Sequence, residues 1–163
     1  MKGLAFLQVL FDSFARPITN HSNFGINTMY RKGANHMKKI SVMFVCLGNI
    51  CRSPMAEAAF RKMVETRGLV DRFQIASSGT GHWHLGEPPH IGTRLILSEH
   101  SIEVGSKRSQ LLKKEDFQNY DYIIAMAQEN VDDIQYQHHQ KVRRLLEFAP
   151  QAKTLDVPDP YYE

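Results

Sequence analysis

A chain of 163 residues with 42% hydrophobic and 23% charged side chains is long enough to form one domain with a buried core. Its formal charge of +3 resides in residues 1–36, where Lys2, Arg16, Arg31 and Lys32 face Asp12 alone; the rest of the chain is balanced, which removes the electrostatic case for nucleic-acid binding. Cys46 and Cys51 are too few for a disulfide scaffold and point to a reducing, cytoplasmic setting, and no apolar run approaches the roughly 18 residues of a membrane span.

Residues 1–36 differ in character from the remainder of the chain. A short apolar stretch gives way to Arg16-Pro17 and then to Asn, Ser, Gly and Thr, with no convincing signal-peptide cleavage site. They are read as a leader or non-native extension, poorly ordered or loosely docked, with an organelle transit peptide as the weaker alternative. The domain is expected to span 37–163. Ile40-Ser41-Val42-Met43-Phe44-Val45 is β-branched and apolar, as a buried parallel strand should be. Residues 53–67 read as a helix with Met55, Ala59, Met63 and Val64 on one face and Gly68 closing it. A second strand is predicted at 73–77, a helix at 90–99 and a third strand at 120–126. Two more helices are expected at 128–138 and 141–148, then a fourth strand at 153–156. This alternation implies a doubly wound, four-stranded parallel sheet flanked by helices.

The chemistry concentrates in Val45-Cys46-Leu47-Gly48-Asn49-Ile50-Cys51-Arg52-Ser53-Pro54, the junction of the first strand and first helix, where a doubly wound sheet places its ligands. Such a loop can wrap backbone N–H groups around an anion, with the helix N-terminus adding positive potential. Those surroundings favour the thiolate of Cys46, the nucleophilic form. Arg52 offers a planar fork for two phosphoryl oxygens, which lysine lacks. Ser53 can donate to the sulfur, Asn49 can hold the loop by side-chain to backbone bonds, Gly48 is expected to supply an unusual backbone conformation, and Pro54 suits a first helical turn. A lone buried cysteine is usually a small hydrophobe, but the whole string at this junction is hard to reach by accident. Zinc is a poor rival: two cysteines are half a site, and His82, His84, His138 and His139 read as surface residues.

A thiol nucleophile needs a proton donor for the leaving group. Asp159, between Pro158 and Pro160, is presented from a stiff loop and suits general acid and then base catalysis, although an Asp-Pro pair alone is more often a turn. The adjoining Tyr161 and Tyr162 can wall an aromatic pocket or simply pack.

These segments, together with Met55-Ala56-Glu57-Ala58, Ser78-Gly79-Thr80, Trp83-His84-Leu85-Gly86, Glu115-Asp116-Phe117 and Asp159-Pro160-Tyr161-Tyr162, resemble the low-molecular-weight protein tyrosine phosphatases, especially bacterial ones. The resemblance implies a cysteinyl-phosphate intermediate on Cys46, with Arg52 as phosphate ligand, Asp159 as general acid and no metal or other cofactor. It adds Leu47, Trp83 and Tyr161 as walls around the substrate ring, with Gly48, Asn49, Ile50, Cys51 and Ser53 completing the phosphate loop. Ile50 stands where related arginine phosphatases tend to have threonine, and Cys51 where the family's second cysteine can form a reversible disulfide with the nucleophile. Phosphotyrosine proteins, including those modified by bacterial tyrosine kinases, are the implied partners.

Three departures stand out: Ala127 comes after Met126 where the family has an acidic residue, Lys107 replaces a histidine of some members, and Glu163 ends the sequence before the family's last helix. The last is read as a C-terminal truncation. If the truncation abolishes activity, a non-catalytic phosphotyrosine- or phosphate-binding protein is the alternative reading, although keeping Cys46, Arg52 and Asp159 together argues against it. Arsenate reduction ranks lower, since it would need a further relay cysteine.

Overall fold

The computed structural model describes residues 38–134, 142–149 and 152–160. Strand β1 (Ile40–Cys46) leads into helix α1 (Arg52–Thr66). A short 3₁₀ turn precedes β2 (Phe73–Gly79), and after it stand α2 (Ile91–Glu99) and the one-turn α3 (Asp116–Asn119). Then come β3 (Tyr122–Ala125), α4 (Gln128–Ile134), β4 (Val142–Arg144) and a 3₁₀ turn at Leu145–Phe148. The four strands form one parallel sheet in the order β2-β1-β3-β4.

Central β1 alternates between two cores. Val42, Phe44 and Cys46 face α1, where Ala56, Ala59, Phe60 and Val64 fill the space. Phe60 meets both Phe44 and Phe73 edge to face, with ring centroids 5.7 and 5.6 Å apart, an arrangement that suits the ring quadrupoles. Met43 and Val45 point to the opposite side, against Phe117 of α3 and Ile134 of α4. Burial on both faces explains why β1 is apolar without alternation.

Helix α1 ends in a Schellman-type closure. Gly68 has φ of 66°, its N–H donates to Glu65 O at 3.0 Å, and the Leu69 N–H donates to Val64 O at 3.0 Å. Helix α2 is started by His90, whose Nδ1 accepts from Gly92 N at 3.2 Å.

Two predicted elements are corrected. The fourth strand lies at Val142–Arg144, not 153–156, and 142–148 is strand and then 3₁₀ turn, not helix. Val142, Leu145 and Leu146 have helical spacing, but pairing of Ile123, Ile124 and Ala125 with 142–144 supplies partners that outweigh local preference. Residues 153–156 turn instead, with Asp156 N donating to Thr154 Oγ1 at 3.2 Å. The third strand is shorter than predicted, the second is longer, and α3 is an addition to the predicted elements. The predicted helix after β3 is described to Ile134; its remainder and residues 1–36 lie outside the described residues.

The chain runs from β1 to β2 on one side and later crosses to β3 on the other. The loop after β1 therefore opens at the point where strand order reverses, where ligands of such sheets bind.

Candidate active site

Residues 46–52 form a loop in which the Cys46, Leu47, Gly48 and Ile50 carbonyl groups are taken by neighbours. Cys46 O accepts from Thr80 N at 3.0 Å, Leu47 O from Gly81 N at 2.8 Å and Ile50 O from His90 N at 2.8 Å. Gly48 O accepts from Ser109 Oγ at 2.9 Å. The amide N–H groups from Leu47 to Cys51, in contrast, donate to no protein acceptor among the described residues. A loop with most of its acceptors satisfied and its donors uncommitted suits an anion.

Asn49 holds this shape. It has φ of 52°, which asparagine tolerates better than most residues, and it is wholly buried. Its Nδ2 donates to Ser53 Oγ at 2.8 Å and Ser77 Oγ at 2.9 Å, while its Oδ1 accepts from Gln110 N at 3.0 Å. The left-handed position therefore falls on Asn49 and not on Gly48, which corrects the expectation for that glycine. Gly48 is instead closely packed: a Cβ there would lie 3.0 Å from His84 Cδ2, and that ring would have to give.

Cys46 Sγ lies 3.0 Å from Ser53 Oγ. The same hydroxyl sits 3.3 Å from Ser78 O, so its single proton can turn to the sulfur when that is a thiolate. Behind Asn49 runs a buried polar relay. Ser77 Oγ donates to Glu57 Oε2 at 2.5 Å, and Lys107 Nζ donates to Ser77 O at 2.6 Å and stands 3.3 Å from Glu57 Oε2. Glu57 also pairs with Arg61 one turn along α1. Lys107 thus places a cation beneath the loop.

Cys46, Leu47, Gly48, Ile50, Cys51, Arg52, Trp83, His84 and Asp159 line one cleft of about 290 Å³. Leu47 and the 64% exposed Trp83 stand at its mouth, with His82 stacked on the indole at 5.2 Å. His84, expected at the surface, is instead half-buried in the cleft wall, with Nδ1 2.9 Å from Glu87 Oε2. Asn49 and Ser53 lie beneath the cleft and not on its wall. Tyr161 lies outside the described residues. Burial pushes the Cys51 thiol up, and the Thr93 hydrogen bond only partly offsets this, so Cys51 is a thiol at neutral pH.

Arg52 is buried, and its guanidinium is fully engaged at one nitrogen. Nη2 donates to Asp159 Oδ2 at 2.6 Å and to Glu129 Oε1 at 3.0 Å, while Nη1 reaches Val157 O at 3.3 Å. Sequence reasoning misses Glu129; the one signal for it is Ala127, an alanine where the resemblance leads one to expect an acid.

Residues 41–163 match the sequence profile described as low molecular weight phosphotyrosine protein phosphatase. The chain belongs to that family. Its activity is that of a protein-tyrosine phosphatase, a phosphoric monoester hydrolase. It is 52% identical over 127 residues to the low molecular weight protein-tyrosine-phosphatase PtpA of Staphylococcus saprophyticus, covering 76% of this chain and 79% of the relative. It is 43% identical over 127 residues to YfkJ of Bacillus subtilis, covering 76% and 81%. The crystal structure of YfkJ superposes with a TM-score of 0.74 over 78% of this chain and 83% of that one. The phosphatase of Streptococcus pyogenes, 38% identical, gives a TM-score of 0.65 over 76% and 78%.

Proposed function

We propose that this phosphatase acts on phosphotyrosine in proteins through Cys46, Arg52 and Asp159. The observation that carries the assignment is their convergence on one cleft above amide groups left without protein acceptors among the described residues. The phosphoryl group enters the loop, and Arg52 grips two of its oxygens. The Cys46 thiolate attacks phosphorus, the bond to the phenolic oxygen breaks, and Asp159 passes its proton to that oxygen. Water then attacks the cysteinyl phosphate, Asp159 takes its proton, and the sulfur leaves as a thiolate stabilised by the Ser53 hydroxyl. The products are tyrosine and inorganic phosphate.

Leu47 and Trp83 are the proposed walls for the tyrosine ring, with Tyr161 as a third. Ile50, buried in the cleft lining, favours an aromatic phosphoester over phosphoarginine. Proteins phosphorylated by bacterial tyrosine kinases are the proposed substrates. The two free cysteines fit a cytoplasmic setting, and among the described residues no helix is long and apolar enough to cross a membrane.

The test is hydrolysis of aryl phosphates of graded leaving-group acidity. Cys46→Ser should abolish turnover. Asp159→Ala should slow the poorest leaving groups by a factor on the order of 10²–10⁴ and the best far less. Retained turnover in the first variant, or an equal loss across leaving groups in the second, would remove that residue from its role.

A further inference from the structure

Substrate has to share Arg52 with carboxylates already on it. A guanidinium presents five N–H groups. Parallel pairs suited to two phosphoryl oxygens lie along two edges, Nε with Nη2 and Nη1 with Nη2. Nη2 belongs to both. Its two N–H groups are the ones donated to Asp159 and Glu129, so a bidentate grip requires one carboxylate to withdraw.

The two carboxylates are not equivalent. Asp159 belongs to the cleft lining, and Glu129 does not. Asp159 sits on the 157–160 segment and faces the space the phosphoryl group would enter. Glu129 approaches from α4, at the end of β3, with its side chain 57% exposed. We infer that Glu129 is a positioning residue: it keeps one Nη2 hydrogen while the phosphoryl group replaces Asp159 on the other. The guanidinium then holds its plane and rotation throughout the exchange, between Glu129 on one side and the Val157 carbonyl on the other. Asp159 is released toward the leaving group.

Among the described residues Glu129 is the second carboxylate on Arg52, and its neighbours Ala127 and Asn130 offer no free acceptor there. Ala127, the residue directly after Met126, has no polar side chain, and it is buried. Asn130 spends its Oδ1 on the Ala127 N–H at 3.1 Å. From the first turn of α4, Glu129 reaches Arg52 across the end of the sheet. This inference rests on the proposed role of Arg52, and its failure can be told apart from failure of that role.

The experiment is steady-state hydrolysis of para-nitrophenyl phosphate by the 163-residue chain and by Glu129→Ala, Glu129→Gln and Arg52→Ala, with thermal unfolding of each. Glutamine keeps an oxygen acceptor at the same reach. Glu129→Ala is expected to lose about tenfold in kcat, with little change in KM and in unfolding temperature, and Glu129→Gln to recover most of the loss. Three results overturn the inference: Glu129→Ala within about twofold of the parent, a gain in kcat/KM that would make Glu129 only a competitor of phosphate, or Glu129→Gln no better than alanine. If Arg52→Ala itself remains active, the role of Arg52 falls first; if Arg52→Ala is inactive and Glu129→Ala is normal, only the positioning role falls.

Discussion

At Gly79 a methyl group has no place to go. A Cβ there would lie 2.6 Å from Leu47 O and 3.2 Å from Asn49 N, both part of the phosphate loop. Backbone cannot rotate away as a side chain can. Gly79→Ala is therefore expected to lower kcat/KM by at least about tenfold through a displaced loop, measurable by aryl phosphate hydrolysis; parental kinetics would show that the loop yields. Lys107 is the second residue with a sharp consequence. Its ammonium stands between Ser77 O and Glu57, so Lys107→Met removes one partner from a buried carboxylate that keeps Arg61 and Ser77, at a cost of about 1–3 kcal/mol. Adding Glu57→Gln should restore part of that stability in chemical denaturation, and additive losses would argue that the pair is not coupled. Cys46, Arg52, Asp159 and Trp83 are legible in the sequence because their motifs are local strings. Glu57, Lys107 and Glu129 act through side chains from separate segments, and their partners appear only when the sheet brings β1, β2 and β3 together.

Among the elements, β1 and α1 are legible because burial and helix closure are written in local pattern, down to Gly68. Strand β4 is not, since three residues carry too little pattern to outweigh the helical spacing of Val142, Leu145 and Leu146. Its identity comes from pairing with β3. The start of β3 is tied to β1 by a different device. Asp121 Oδ2 accepts from Ser41 N at 2.9 Å and Ser41 Oγ at 2.8 Å, and its Oδ1 meets Lys38 Nζ at 3.0 Å. Burial alone would raise the pKa of this carboxyl, but the Ser41 and Lys38 contacts outweigh it and hold it below the usual carboxylate value. A depressed folded-state pKa contributes stability that is present above the unfolded value of about 3.9 and is lost as pH falls through the lower folded value. Asp121→Asn should cost about 1–2 kcal/mol at pH 7. The gap between the two proteins should close below about pH 4, as measured by urea unfolding across that range. A gap independent of pH would assign the effect to geometry and not to charge.

For the molecule as a whole, the cleft is where separate parts of the chain are fastened to one another. Val157 N donates to Met126 O at 2.8 Å, Gln128 N to Asp156 Oδ1 at 2.9 Å, and Arg144 Nη1 to the same Asp156 oxygen at 3.3 Å. Arg52 adds Val157, Glu129 and Asp159 to that junction. An anion in the loop joins β1, α1 and the late segment through one guanidinium, and it does so only in the folded chain. Inorganic phosphate at about 100 times its dissociation constant should therefore stabilise the protein by about 2.7 kcal/mol, a rise of about 10 °C in Tm for a domain of this size. The variants separate binding from chemistry. Cys46→Ser should keep the shift, and Arg52→Ala should lose it. Asp159→Asn should enlarge it at a given phosphate concentration, because the carboxylate 2.6 Å from Nη2 competes with phosphate for the same hydrogen and the amide competes less. A smaller shift in Asp159→Asn would mean that Asp159 supports phosphate binding instead of yielding to it, and the exchange at Arg52 would have to be abandoned.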